Sequence, residues 1–121
     1  MPPIFNQPID SALVGTDLYV LDGKLNQIIV VDTNAPPSGG RTVFPAGGAG
    51  LVEPVAMILD PDGLRLWVAD NGLGTLTDFS LAGVPGMPIP YPVGTTEVVD
   101  MAFDQGDEIW FYGLFLCFRK V

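Results

Sequence analysis

Carboxylates are the residues of this sequence best placed to do chemistry. Asp60, Asp62, Asp104, Asp107 and Glu108 fall in two short runs, Asp60-Pro61-Asp62-Gly63 and Asp104-Gln105-Gly106-Asp107-Glu108. Oxygen donors at such spacing can hold calcium. A tight turn wants the same string for backbone reasons alone, because Asp side chains bond nearby N–H groups and Gly supplies positive φ. The turn is the better-motivated reading. A second set, Asp22, Lys24, Asn26, Glu53, Asp70, Asn71 and Glu97, is scattered along the chain at loop positions. Within it, Glu53, Asp70, Asn71 and Glu97 are the candidate ligand-binding residues. Gathered at one mouth they would attract cations or a basic partner. Solvated loop residues are the plainer account.

Residue counts exclude other chemistry. The sequence has no His, which removes Ser-His-Asp and Cys-His catalysis and every His-ligated metal site. One Cys removes internal disulfides and thiolate clusters, and Cys117 reads as a small core hydrophobe. Five basic against fourteen acidic residues, net −9, argue against nucleic acid or an anionic membrane as partner. Gly39-Gly40 and Gly47-Gly48-Ala49-Gly50 lack the following helix and Lys of a phosphate loop, and read as connectors beside the surface turn Ala35 to Ser38. No catalytic residue and no cofactor is assigned, a divalent cation being the one group the acidic loops leave open. No signal peptide and no transmembrane segment are expected. The longest apolar run, Ile109 to Phe118, has 10 residues and is too short to span as a helix. By default the chain is expected in the cytoplasm or in a virion.

The elements that position these residues are short. Gly (15) and Pro (12) punctuate all 121 residues, which form a single domain, 1–121, and leave little room for long helices. A repeat runs through the chain. Its clearest unit is Pro54 to Leu59, the turn Asp60-Pro61-Asp62-Gly63, and Leu64 to Asp70. Further along, Met101, Asp104 and Trp110 match Met57, Asp60 and Trp67; upstream, Tyr19 and Asp22 match Trp67 and Asp70. A third strand follows at Gln27 to Asp32 and again at Thr75 to Ser80. A fourth follows at Arg41 to Phe44 and at Met87 to Val93, where alternating Pro marks an edge strand. Four strands per unit and this repeat length are those of a β-propeller blade; a β-sandwich is the alternative. Tyr19, Trp67 and Trp110 are expected to pack between units rather than line a sugar site.

The pattern Asp60-Pro61-Asp62-Gly63, Leu66 to Gly72 and Leu76 to Leu81 resembles the blades of NHL, YVTN and SMP-30/gluconolactonase-like six-bladed propellers. The resemblance implies a propeller. It implies either a binding scaffold or a metal-dependent lactonase or esterase-like hydrolase with a metal held by Glu, Asn and Asp, and Glu53 and Asn71 are the positions it touches.

The expected fold is therefore all-β: a partial β-propeller of about three four-stranded antiparallel blades, completed to a six-bladed ring by a second chain. Residues 8–53 form the first blade, 54–98 the second and 99–121 an incomplete third, with 3–7 as a displaced outer strand. Three blades cannot close a ring alone. Two copies related by a two-fold axis can, and a homo-oligomer, first a dimer, is expected; a different chain supplying the missing blades is the other route. Ile4, Phe5, Leu114, Phe115, Leu116 and Phe118 are the expected interface residues, since so apolar an edge invites pairing. A gene fragment or an open array of three units are the plainer possibilities. The expected function is a non-enzymatic structural or interaction module, such as a subunit of a virion or surface assembly; the alternative is the SMP-30-type hydrolase.

Overall fold

The computed structural model describes residues 5–35, 40–95, 97–113 and 117–119, the side chains of 111, 112 and 117–119 excepted. Among the described residues, eleven strands form three antiparallel sheets. The first holds β1 (Pro8–Val14), β2 (Asp17–Asp22), β3 (Gln27–Asp32) and β4 (Arg41–Phe44) in chain order. The second holds β5 (Pro54–Leu59), β6 (Arg65–Asp70), β7 (Thr75–Ser80) and β8 (Ile89–Pro90). In the third, β9 (Val98–Phe103) pairs with β10 (Ile109–Gly113), and β10 with β11 (Cys117–Arg119). No helix forms among the described residues.

The turns explain the order. The tight turns within the first two sheets carry a residue with positive φ: Gly15 (60°) after β1, Asn26 (55°) after β2, Gly63 (74°) after β5 and Gly74 (66°) after β6. Asn26 and Gly74 stand at equivalent places, immediately before β3 and β7. Register repeats as well. Pro8 pairs with Asp22, Pro54 with Asp70 and Val98 with Gly113, and each first strand bulges just after that pair.

Both faces of the second sheet are buried. Tyr19, Leu21, Ile28 and Phe44 of the first sheet form one apolar cluster with Met57, Leu66, Val68 and Phe79 of the second. Ala56, Trp67, Ala69 and Leu76 form another with Val98, Met101 and Ile109 of the third. Alternation along β6 does this: Leu66 and Val68 face one neighbour, Trp67 and Ala69 the other. An aromatic chain crosses the first seam, with Tyr19 edge-on to Phe44 at 5.1 Å and Phe44 to Phe79 at 6.4 Å. Tyr19 and Trp67 thus pack between sheets, each toward the sheet that follows. Trp110, at the same place in the third sheet, is 37% exposed.

The fourth strand of the second unit is shorter than Met87 to Val93. Within that segment Ile89 and Pro90 pair with β7, an isolated bridge joins Pro85 to Phe79 before it, and the Tyr91 N–H bonds Gly74 outside the ladder. Pro88, Pro90 and Pro92 have no N–H to give, so pairing ends where they cluster. Residues 5–7 run into β1 without strand structure of their own. Ile4, Leu114, Phe115 and Leu116 lie outside the described residues, as do residues 36–39 of the surface turn; Phe118 and Cys117 are placed by backbone alone. Met57, 1% exposed at the centre of the first seam, sets a test. Met57→Ala is expected to lower unfolding stability by about 2–5 kcal/mol in urea titration.

Candidate functional site

Asp22 and Asp70 end β2 and β6 and are buried, at 0% and 2% exposure. Neither is left unpaired, for each carboxylate accepts a fan of backbone N–H groups. Asp22 takes the N–H groups of Asn6 (2.6 Å), Gln7 (3.0 Å), Lys24 (3.0 Å) and Leu25 (2.9 Å). Asp70 takes those of Val52 (2.8 Å), Glu53 (3.0 Å), Gly72 (2.9 Å) and Leu73 (3.1 Å). The two sets match position by position. In each sheet one side chain ties the segment leading into the first strand to the loop between the second and third. A backbone bond repeats with it, Gly23 N–H to Gln7 and Asn71 N–H to Glu53.

Around Asp70 the candidate residues do come together. The Asn71 amide behaves like a short piece of strand: its Nδ2 donates to the Val98 carbonyl and its Oδ1 accepts the Val98 N–H, both at 3.0 Å. That pair joins the second sheet to the first strand of the third. The Tyr91 hydroxyl donates to the same Oδ1 at 2.9 Å. Burial pushes the Tyr91 phenol well above its usual range, and the negative charges of Asp70 and Glu53 add to the rise. Glu53 and Glu97 are exposed at this end, as is Lys24 beside Asp22. The sequence reading missed Tyr91; its place between Pro90 and Pro92, the chain leaving an edge strand beside Asn71, was the available signal.

The third sheet breaks the pattern. Gly113 occupies the place of Asp22 and Asp70, and the Glu97 carbonyl lies where a side chain at 113 would begin. The backbone itself fills the space that a carboxylate fills in the other two sheets.

The acidic hairpins serve as turns. Asp60 Oδ2 accepts the Trp67 indole N–H at 2.9 Å and Oδ1 the Asp62 N–H at 3.1 Å. Asp104 Oδ2 accepts the Trp110 indole N–H at 2.8 Å, and its Oδ1 the N–H groups of Gly106 and Glu108. Burial alone would raise the Asp60 carboxyl, but the Trp67 and Asp62 bonds and the Arg65 charge outweigh it and hold it below the usual carboxylate range. Asp107 takes positive φ (60°), as its turn requires. Arg65 faces Asp62 and Asp78, each at 3.5 Å. Among the described residues, no three His, Cys, Asp or Glu side chains gather as a metal-type group. A separate groove of about 530 Å³ lies on the outer side, lined mainly by apolar groups such as Pro45, Leu51, Phe79 and Pro88.

No family model and no curated protein matches the sequence. Solved structures do. Virginiamycin B lyase from Staphylococcus aureus superposes with a TM-score of 0.68 at 15% identity, over 89% of this chain and 35% of that one. A catalytically inactive variant of the same lyase with quinupristin gives 0.68 at 14% identity, with the same coverage. Kuenenia stuttgartiensis hydrazine synthase gives 0.64 at 13% identity, over 94% of this chain and 34% of that one. The chain spans about a third of the length of these structures.

Two variants test the clamps. Burial by itself would raise the Asp22 carboxyl, but the N–H bonds from Leu25, Asn6, Gln7 and Lys24 outweigh it and lower its pKa. A depressed folded pKa stabilises fully above the ordinary Asp value of about 3.9, and that stabilisation is lost as pH falls through the lower folded value. Asp22→Asn is therefore expected to be less stable at neutral pH and to lose less stability than the wild type on acidification, measured by urea unfolding across the acid range. Gly113→Ala is expected to cost more than about 1 kcal/mol, because the Glu97 carbonyl must move; an unchanged melting temperature would refute that close approach.

Repeated register, inter-sheet apolar seams and these superpositions agree: the chain is all-β and folds as part of a β-propeller, its sheets the blades.

Proposed function

We propose that the chain is a non-enzymatic structural or interaction module, an arc of propeller that assembles with another copy of itself into a larger ring. One observation carries the reading. The face of the third blade that corresponds to the buried, Trp67-bearing face of the second is open, with Trp110 37% and Val99 44% exposed. On the first blade, Leu13 corresponds to Leu59, which packs against the first seam, yet Leu13 is 59% exposed. The third blade's face is open, while on the first blade Leu13 stands exposed on a face whose Val20 and Ile29 are buried. Apolar surface of this kind marks an interaction site. Asn71 fits the same reading, since its amide joins the second blade to the first strand of the third. The lyase and synthase neighbours support the architecture; their chemistry is not carried over at 13–15% identity.

Two copies would bring together six blades and bury the open third-blade face and the exposed Leu13 in one closed, two-fold arrangement. Sedimentation equilibrium at micromolar concentration is expected to give twice the 12.9 kDa chain mass, with rings visible by negative-stain microscopy. A monomer throughout that range would overturn the proposal, and a stable complex with a different chain would replace the second copy by that partner.

A further inference from the structure

At one seam a first-strand carboxylate stitches two blades, Asp10 to the Met57 N–H; Ala56 makes no such stitch at the next seam, and on the third blade the equivalent Asp100 is open. Register makes Asp10, Ala56 and Asp100 equivalent: they pair with Leu21, Ala69 and Tyr112, just past the bulge of each first strand. Asp10 is bonded twice. Its Oδ1 accepts the N–H of the next residue, Ser11, at 2.9 Å, and its Oδ2 reaches the following blade to accept the Met57 N–H at 3.0 Å. Asp100 repeats the first half of this, its Oδ1 accepting the Met101 N–H at 2.8 Å. Among the described residues no donor meets its other oxygen, and Asp100 is exposed on the same open face as Trp110.

Resting on the reading of the chain as an arc that a second copy completes, we infer that Asp100 and Trp110 form the receiving half of the joint. The donor is the Ser11 N–H of the other copy, which stands on the first blade where Met57 stands on the second. There it is shared between Asp10 of its own chain and the incoming Asp100. Trp110 covers Leu13 of the other copy, as Tyr19 shares a cluster with Met57 and has Leu59 packed against it. Both halves belong to this chain, which is why a second copy is the occupant: the first blade offers an exposed Ser11 and Leu13, the third an exposed Asp100 and Trp110. A bond from a carboxylate to a backbone amide is charge-assisted and fixes register as well as affinity, while the aromatic supplies the apolar contact.

Association is measured by sedimentation for the wild type, Asp100→Ala, Asp100→Asn and Trp110→Ala, with thermal melting at low concentration to confirm that each variant folds. In Trp67→Phe, Trp110 is the sole tryptophan and reports on its own surroundings. The inference expects Asp100→Ala and Trp110→Ala each to weaken association by about tenfold or more, Asp100→Asn to fall between, and Trp110 emission to shift to the blue as copies associate. If the wild type associates but Asp100→Ala and Trp110→Ala match it and the emission stays fixed, the joint lies elsewhere and this inference fails while assembly stands. If the wild type stays monomeric, the assembly reading itself fails, and this inference with it.

Discussion

A four-stranded sheet in this chain has two apolar faces and, among the described residues, no helix to cover either. Everything else follows from that constraint. The second blade meets it by lying between the other two, and its β6 is buried along almost its whole length. A sheet that must be covered on both sides can neither stand alone nor end a stack without leaving a face open. Water is excluded from the seams by alternation: odd positions of β6 serve one neighbour and even positions the other.

Polar groups then work at the ends of the sheets, where the apolar seams stop. Backbone donors satisfy the buried carboxylates of Asp22 and Asp70, and a buried polar group left unpaired costs more than the bond itself contributes. Both the chain leading into a blade and the loop inside it meet at one carboxylate. Asn71 extends this across a seam by imitating a peptide group. The third blade closes the same end with Gly113 and a backbone approach instead, so one geometric task has two chemical solutions in a single molecule.

Much of this was legible in the residues. β3, β4, β5 and β7 run where the hydrophobic pattern and the Asp-Gly and Asn-Gly turns put them, and β6 starts one residue later, because local signals and tertiary demands agree there. The fourth strand of the second blade was read too long, since apolar content between prolines looks like a strand until ladder donors are counted. Asp22, Asp70 and Asn71 stood out as acidic or polar loop residues, but as ligand candidates; that they bond backbone depends on a segment fifteen or more residues away, which composition does not reveal. Asp10 and Asp100 were passed over altogether. A lone carboxylate in a strand gives no motif, and its meaning comes only from the register that sets it beside the next blade.

The carboxylate clamps have a consequence for how such a molecule can change over generations. Each one closes on the segment that enters its own sheet, so the clamps survive duplication or loss of a whole repeat, whereas the Asn71–Val98 and Asp10–Met57 bonds must be replaced. Between repeats the seams are mostly apolar, which tolerate substitution as long as volume is kept. A lineage built this way can vary how many units it counts long before it must vary how any one of them is made.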